Sequence, residues 1–437
     1  MQNKKNRKFW VTLIIFSLVG QVAWVVENMY FNVFIYNMFG ASPTDISTMV
    51  GASSAAAAIT TILIGALSDK IGKRKIFICG GYILWGLSIL GFALVRKDFI
   101  SSLFPTAISV SAICITIAIV LDCLMTFFGS GANDACFNAW LTDSTEDGGR
   151  GAAEGINSMM PLMAILVVFG GFMSFDLTLS SSWVSVFCII GGVVVLLGIL
   201  GFFLIEDNYV KREENTAYFK NILYGFRPSV ILKNPTLYVT LGAFALFNIS
   251  IQIFMPYLII YYQVSLQMTD YVLIMAPAII LAGIATAFYG RYYDKVGFFK
   301  SLVPTLLSLS LGYVLLFFFR DTVMVFLGSL FMMTGYLTGM AVFGAMIRDY
   351  TPLGKAGMFQ GLRIVCQVLI PGIIGPMIGA SVLKNADVMV NSDGTTSFIP
   401  NANIFLAALV VSVIVLALTT LIKNKFFSKK GEKNELL

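Results

Sequence analysis

The sequence predicts an all-α membrane protein of twelve transmembrane helices, arranged as two pseudo-symmetric six-helix halves. Three observations carry that expectation: too little charge for a surface in water, apolar runs of spanning length, and a signature segment that occurs twice. Of the 437 residues, 58% are hydrophobic and 12% charged, with a mean hydropathy of +0.85. A water-soluble domain carries about a quarter charged residues, so the outer surface of this chain has to face lipid. A spanning helix needs about 20 predominantly apolar residues. The length therefore accommodates a dozen spans joined by short loops, with no room for a soluble catalytic domain.

Apolar runs broken by polar punctuation place the spans at 9–38, 46–67, 75–95, 114–142, 152–174, 183–205, 236–263, 270–289, 300–319, 322–347, 357–382 and 402–422. Helices are expected because unpaired backbone amides cannot sit in hydrocarbon, and no sustained alternation points to a barrel. The first run is too long for a signal-peptide core and lacks a small-residue cleavage site, so it counts as a span. The expected organisation is a first half over 1–205, a charged central loop over 206–235, a second half over 236–423 and a tail over 424–437.

Basic residues set the expected orientation. Taking the amino-terminal tail and alternate loops, one side collects twenty-four Lys and Arg and the other four (Arg96, Lys97, Arg320, Lys384), with Arg363 inside a span. Both termini are thus expected in the cytoplasm, in a multi-pass protein of the plasma (inner) membrane. The same asymmetry accounts for the net charge of +6 without a nucleic-acid partner. The six cysteines (Cys79, Cys114, Cys123, Cys136, Cys188, Cys366) lie in apolar stretches without paired spacing and read as small core residues. There is no histidine, so proton coupling would have to rest on carboxylates. No metal site, no cofactor and no enzyme chemistry are expected: no nucleophile–base pair, metal cluster or phosphate loop is present.

Two internal repeats divide the chain. Gly65-Ala-Leu-Ser-Asp69-Lys-Ile-Gly72-Lys-Arg-Lys75 returns as Gly290-Arg-Tyr-Tyr-Asp294-Lys-Val-Gly297-Phe-Phe-Lys300, an offset of 225. Ala139-Trp-Leu-Thr-Asp143-Ser-Thr145 returns as Ala345-Met-Ile-Arg-Asp349-Tyr-Thr351, an offset of 206. The difference of nineteen assigns an insertion to the first half, most naturally about Lys97 to Ile115, outside the membrane or in its outer interface. Parallel six-helix repeats are the arrangement of carriers whose site lies where the halves meet.

The first repeat resembles the signature loop between helices 2 and 3 of the major facilitator superfamily, and its second copy resembles that family's degenerate version after helix 8. The resemblance covers essentially the whole chain and implies a transporter that works by alternating access. Independently of it, Gly65 and Gly72 permit a tight turn, and Asp69 offers a carboxylate to the positive end of a neighbouring helix. The resemblance implies that this helix is the eleventh, starting near Gly357, and that Asp294 serves the fifth, starting near Gly151. Lys73, Arg74, Asp143 and Asp349 are then candidates for charge pairs closing an inner gate.

Ionisable groups within spans are costly and are functional candidates by default. In the first span Gln21, Trp24, Asn28 and Asn32 fall on one helical face at three- and four-residue spacing, with Glu27 at its edge. In the fourth, Asp134 is nine residues from Asp143, about 14 Å deep, with Asn138 one turn below it; Asp122 lies nearer the outer end, where water is expected to reach it. The seventh span offers Asn248, Gln252, Tyr257 and Tyr261. The eleventh offers Gln360, Arg363 and Gln367, where Arg363 either snorkels or pairs with a carboxylate. Tyr336 in the tenth is as well explained by packing.

The segment Asn133-Asp134-Ala-Cys-Phe137-Asn-Ala-Trp140 also resembles helix 4 of the glycoside–pentoside–hexuronide cation symporters, the melibiose-permease branch. That likeness implies Asp134 as a sugar-binding carboxylate and Glu27 as the first-helix acid. The second span has no acid before Asp69, which departs from that branch's sodium site and favours a proton. The expectation is a monomeric carrier taking up a neutral hydroxylated solute, a sugar or glycoside, with a proton or other cation bound at Glu27 and Asp134. The alternatives are a drug or metabolite exporter and, from another class, a transporter-like receptor without turnover. The Gly-Pro run Gly372–Gly379 lies in the half opposite to the antiporter signature and argues against export.

Overall fold

The computed structural model describes residues 2–145, 150–206, 223–268, 270–351, 361–391 and 396–422, with side chains throughout except at 2–6, 69, 150–152, 154, 223, 224, 421 and 422. Among these residues, eleven helical stretches are long and apolar enough to cross a membrane. One of them, Tyr271–Phe318, has 48 residues, or about 70 Å at ~1.5 Å per residue, more than twice the roughly 30 Å of hydrocarbon. Its backbone leaves helical geometry at Gly297 (φ 76°, ψ 179°), which divides it into two spans.

The spans are α1 Arg7–Phe39, α2 Pro43–Ile71, α3 Arg74–Phe92, α4 Val110–Ser144, α5 Arg150–Phe172 and α6 Ser180–Leu204. They continue with α7 Pro235–Ser265, α8 271–296, α9 298–318, α10 Thr322–Tyr350, α11 Gly361–Val382 and α12 Asn403–Ile422. The chain forms two compact units, Met1–Tyr218 with Val388–Ser397, and Phe219–Asp387 with Phe398–Leu437. A small hairpin, β1 Val388–Val390 with β2 Thr396–Phe398, lies on the loop after α11. The insertion expected between the third and fourth spans holds a short helix, Lys97–Leu103, and an exposed stretch before α4.

Local chemistry explains where these helices begin and end. Gly40, with φ 67°, closes α1, and Ser42 with Asp45 forms a reciprocal capping box that opens α2 on Pro43. Ser109 and Asp321 cap α4 and α10 by accepting from the amides of Ala112 and Met324. Gly72 ends α2 at φ 70°, its amide donating to Ser68 O. Its repeat counterpart Gly297 is the break between α8 and α9. The tight turns fall on this second glycine of each motif, whereas Gly65 and Gly290 lie inside helices.

The Gly297 conformation belongs to a region that is essentially reserved for glycine, and the space around the position is otherwise open. Gly297→Ala is therefore expected to destabilise by about 1–3 kcal/mol through backbone strain alone. Gly290→Ala, helical and equally open, is expected to be neutral or stabilising because alanine is the better helix former. Thermal unfolding of the two purified variants in detergent checks the contrast.

Within each half, small residues let helix backbones approach, as expected where lipid removes the hydrophobic drive between helices. A Cβ added at Gly86 of α3 would stand 2.6 Å from the Gly191 carbonyl of α6, and one at Gly335 of α10 would stand 2.5 Å from the Leu309 nitrogen of α9. The Gly-rich run of α11 has the same role: Gly375 and Gly379 back directly onto Gln252, Ile253 and Tyr257 of α7.

Four spans are not uniform α-helix. π-Helical turns occupy Val26–Phe31 in α1, Ser130–Phe137 in α4, Tyr261–Ser265 in α7 and Val365–Leu369 in α11. Such turns recur at functional positions. A one-residue insertion rotates everything beyond it by about 100° around the axis. The polar stripe expected along the first span is broken for this reason: Asn28 is exposed while Asn32 is 1% exposed and buried among its neighbours.

Candidate functional site

The π-helical turns of α1 and α4 carry Glu27 and Asp134, and the two helices meet within the first half. Glu27 is 8% exposed; its Oε1 accepts a 2.7 Å hydrogen bond from the Thr126 hydroxyl of α4. Asp122 precedes Thr126 by one helical turn and faces the same way. It is 2% exposed, not reached by water as its position toward the helix end led one to expect, and it lies beside Ser53 of α2. Glu27 has both Asp122 and Asp134 as charged neighbours.

A second polar cluster lies around Asp134, which is half-buried. The Asn133 amide donates to Asp134 Oδ1 at 3.1 Å, while Asn133 Oδ1 accepts from the Tyr82 hydroxyl at 2.8 Å. That hydroxyl also lies 3.2 Å from the Phe16 carbonyl. Gly20 makes room for the arrangement, since a Cβ there would collide with Asn133 Oδ1. Ser130 and Trp24 are the other side chains against the Asp134 carboxyl. The Trp24 ring packs on Trp85 with centroids 5.0 Å apart, so one of its faces is engaged inside the bundle. Gln21 is half-buried, and Asn28 and Asn138 are exposed. Asn28 Nδ2 donates to Trp24 O at 2.8 Å and Asn138 Nδ2 to Asp134 O at 3.0 Å.

In the second half the expected residues separate into packing and polar groups. Tyr257 is fully buried and its hydroxyl donates to Pro376 O at 3.3 Å. That is a helix-packing position with no face left on its own half for stacking. Tyr261 is likewise buried, and Asn248 turns back to donate to Phe244 O of its own helix at 2.8 Å. Gln252 and Tyr336 are half-buried. Arg363 Nε donates to Gln367 Oε1 at 3.3 Å, and its charged neighbour is Arg348. Gln360 lies outside the described residues.

The signature loops are braced within each half. Arg74, 6% exposed, donates from Nε to Asp143 Oδ2 at 3.1 Å and from its terminal nitrogen to Ser68 Oγ at 2.7 Å. In the second half Tyr293, the repeat counterpart of Ser68, donates to Asp349 Oδ2 at 2.7 Å, and Asp349 is the counterpart of Asp143. One brace thus exists twice with different chemistry, arginine bridging a serine in one copy and a longer tyrosine reaching alone in the other, where Phe299 stands for Arg74. Lys73 and Asp294 are exposed. The side chain of Asp69 and the helix start near Gly357 lie outside the described residues, while α5 begins at Arg150, next to the expected Gly151.

Twelve apolar spans with a brace duplicated between two halves define a polytopic membrane protein. The chain belongs to the Major Facilitator Superfamily, whose family model matches residues 9–376. Among curated proteins it is 25% identical over 252 residues to the inner membrane protein YqcE of Escherichia coli (strain K12), an alignment covering 57% of this chain and 56% of that one. The match thus spans little more than half the length of that relative. Among solved structures, the nucleoside transporter NupG superposes with a TM-score of 0.70 at 12% identity, covering 94% of this chain and 98% of NupG. The xylose transporter XylE from E. coli gives 0.66 at 13% identity, covering 95% and 99%. A bacterial homologue of the human lysosomal transporter Spinster gives 0.68 at 17% identity, covering 95% and 97%. At these identities the superpositions establish the shared fold.

Proposed function

We propose that the protein is a secondary active transporter that takes up a small, neutral, polyhydroxylated solute by alternating access, coupled to a cation held by carboxylates of the first half. The observation that supports this reading is the set of polar groups on α1 and α4, the half-buried Asp134 with the exposed amides Asn28 and Asn138. Such groups along otherwise apolar spans are too costly to face hydrocarbon, and a carboxylate and amides offer acceptors and donors to hydroxyls. Two structural relatives are named for a nucleoside and for xylose, solutes of this chemical class. Gln21 and Trp24 extend the same region of α1; Gln252, Arg363 and Gln367 are the polar groups the second half would contribute, while Asn248 and Tyr257 are assigned to packing. In this reading the protein acts as a monomer in the plasma (inner) membrane with both termini cytoplasmic, an orientation that the distribution of basic residues supports.

The test is uptake into proteoliposomes of radiolabelled xylose, melibiose and uridine, with imposed proton or sodium gradients. Accumulation of at least one solute above its equilibrium level, dissipated by an ionophore, is the expected result. Uptake of none of them under any gradient, together with export of an unrelated amphiphile, would overturn the assignment.

A further inference from the structure

The Glu27–Asp122 pair poses a charge problem that the protein does not solve with its own residues. Glu27 Oε2, Asp122 Oδ1 and, one π-helical turn further along α1, Asn32 Oδ1 are all buried without a hydrogen-bond donor. All three are acceptor atoms, and an ionised carboxyl group accepts only. The sequence has no Lys or Arg between Lys8 and Lys70, nor between Lys97 and Arg150, so the membrane-embedded parts of α1, α2 and α4 hold no basic group to pair with them. Burying a charge without a partner costs several kcal/mol or more, and two adjacent carboxylates compound it. The groups facing the pair are Thr126 and Cys123 from α4, Ser53 from α2, and Asp134. None of them is cationic.

We propose that Glu27, Asp122, Ser53 and Thr126 form a binding site for a dehydrated monovalent cation of sodium size, enclosed within the first half. The inference rests on the carrier reading above and names its coupling ion. Hard cations are held by oxygen ligands of this kind, carboxylates supplemented by neutral oxygens. A trapped water would carry no charge, and one monovalent cation alone would leave one of the two carboxylate charges uncancelled; the cation together with one proton shared between Glu27 and Asp122 neutralises the pair and also engages the surplus acceptors. The site departs from the expectation that Glu27 and Asp134 share one coupling proton. Here Glu27 turns to Asp122 for the ion and leaves Asp134 to the solute.

The experiment uses the purified full-length protein in detergent, at constant ionic strength, with NaCl exchanged for choline chloride or KCl. Sodium is expected to raise the unfolding midpoint saturably, and scintillation-proximity binding of radioactive sodium is expected to be displaced by excess NaCl and by low pH, protons competing for the same carboxylates. Asp122→Asn and Glu27→Gln are expected to abolish both signals. Ser53→Ala, which keeps both charges, is expected to weaken sodium binding about tenfold and covers the case in which a carboxylate variant does not fold. A wild type indifferent to sodium over choline would overturn the proposal and leave water or a shared proton in the site. Sodium binding unchanged in Asp122→Asn or Ser53→Ala would overturn it as well. Failure of the carrier reading is distinguishable: sodium would then bind as described, yet none of the three solutes would be exchanged across proteoliposomes.

Discussion

Asp134→Asn is expected to reduce sodium- or proton-driven accumulation of the transported solute by about a hundredfold or more. Hydrogen bonds to a charged group are each worth about 1.5–3 kcal/mol, and a carboxylate can accept from two adjacent hydroxyls at once. Losing two such bonds removes about 3–6 kcal/mol, and each ~1.4 kcal/mol is a factor of ten. The carboxylate is held in place by Asn133, itself fixed by Tyr82, so Tyr82→Phe is expected to give a smaller loss, of about tenfold, by loosening its support. Initial rates of counterflow at matched protein levels separate the two outcomes. Wild-type counterflow in Asp134→Asn would remove Asp134 from the solute site.

The second large effect is expected at the brace of the first half. Arg74→Ala leaves Asp143 without its guanidinium, and breaking a buried ion pair by removing one partner costs about 3–5 kcal/mol. The Asp143 side chain is 25% exposed against 7% for Arg74, so solvent moderates this toward the lower end. Turnover is expected to fall at least tenfold with insertion into the membrane retained. Asp143→Asn is expected to lose less, since Arg74 keeps its hydrogen bond to Ser68, and the double variant no more than Arg74→Ala alone, because both remove the shared ion pair. Losses that simply add in the double variant would show that Arg74 and Asp143 act separately. In the second half the same cycle applied to Tyr293→Phe and Asp349→Asn is expected to show weaker coupling, since its hydrogen bond is exposed.

The reach of the sequence differs from element to element. A tight turn in the signature loop could be read in advance from Gly65 and Gly72, but only Gly72 makes it, with Gly297 in the second copy, because which repeated glycine takes the left-handed conformation depends on where the helix ends. The number of spans was readable from hydropathy, which depends only on composition along the chain. The burial of Asp122 has a signal in the sequence, since Asp122, Thr126 and Ser130 recur at four-residue spacing on one face of α4; its position toward the helix end suggests water instead, because depth along a helix says nothing about which neighbour covers it.

What the sequence determined by itself was the solvent of the protein, the number of its helices, its duplication and the family its signature loop resembles. Each of these follows from composition or from short-range pattern. Only the tertiary structure decided that Glu27 meets Thr126 beside Asp122, that Tyr257 is consumed by packing, and that Arg74 braces its own half. These are contacts between helices distant in the chain, and the π-helical turns of α1 and α4 rotate their side chains away from the faces that an uninterrupted 3.6-residue period assigns.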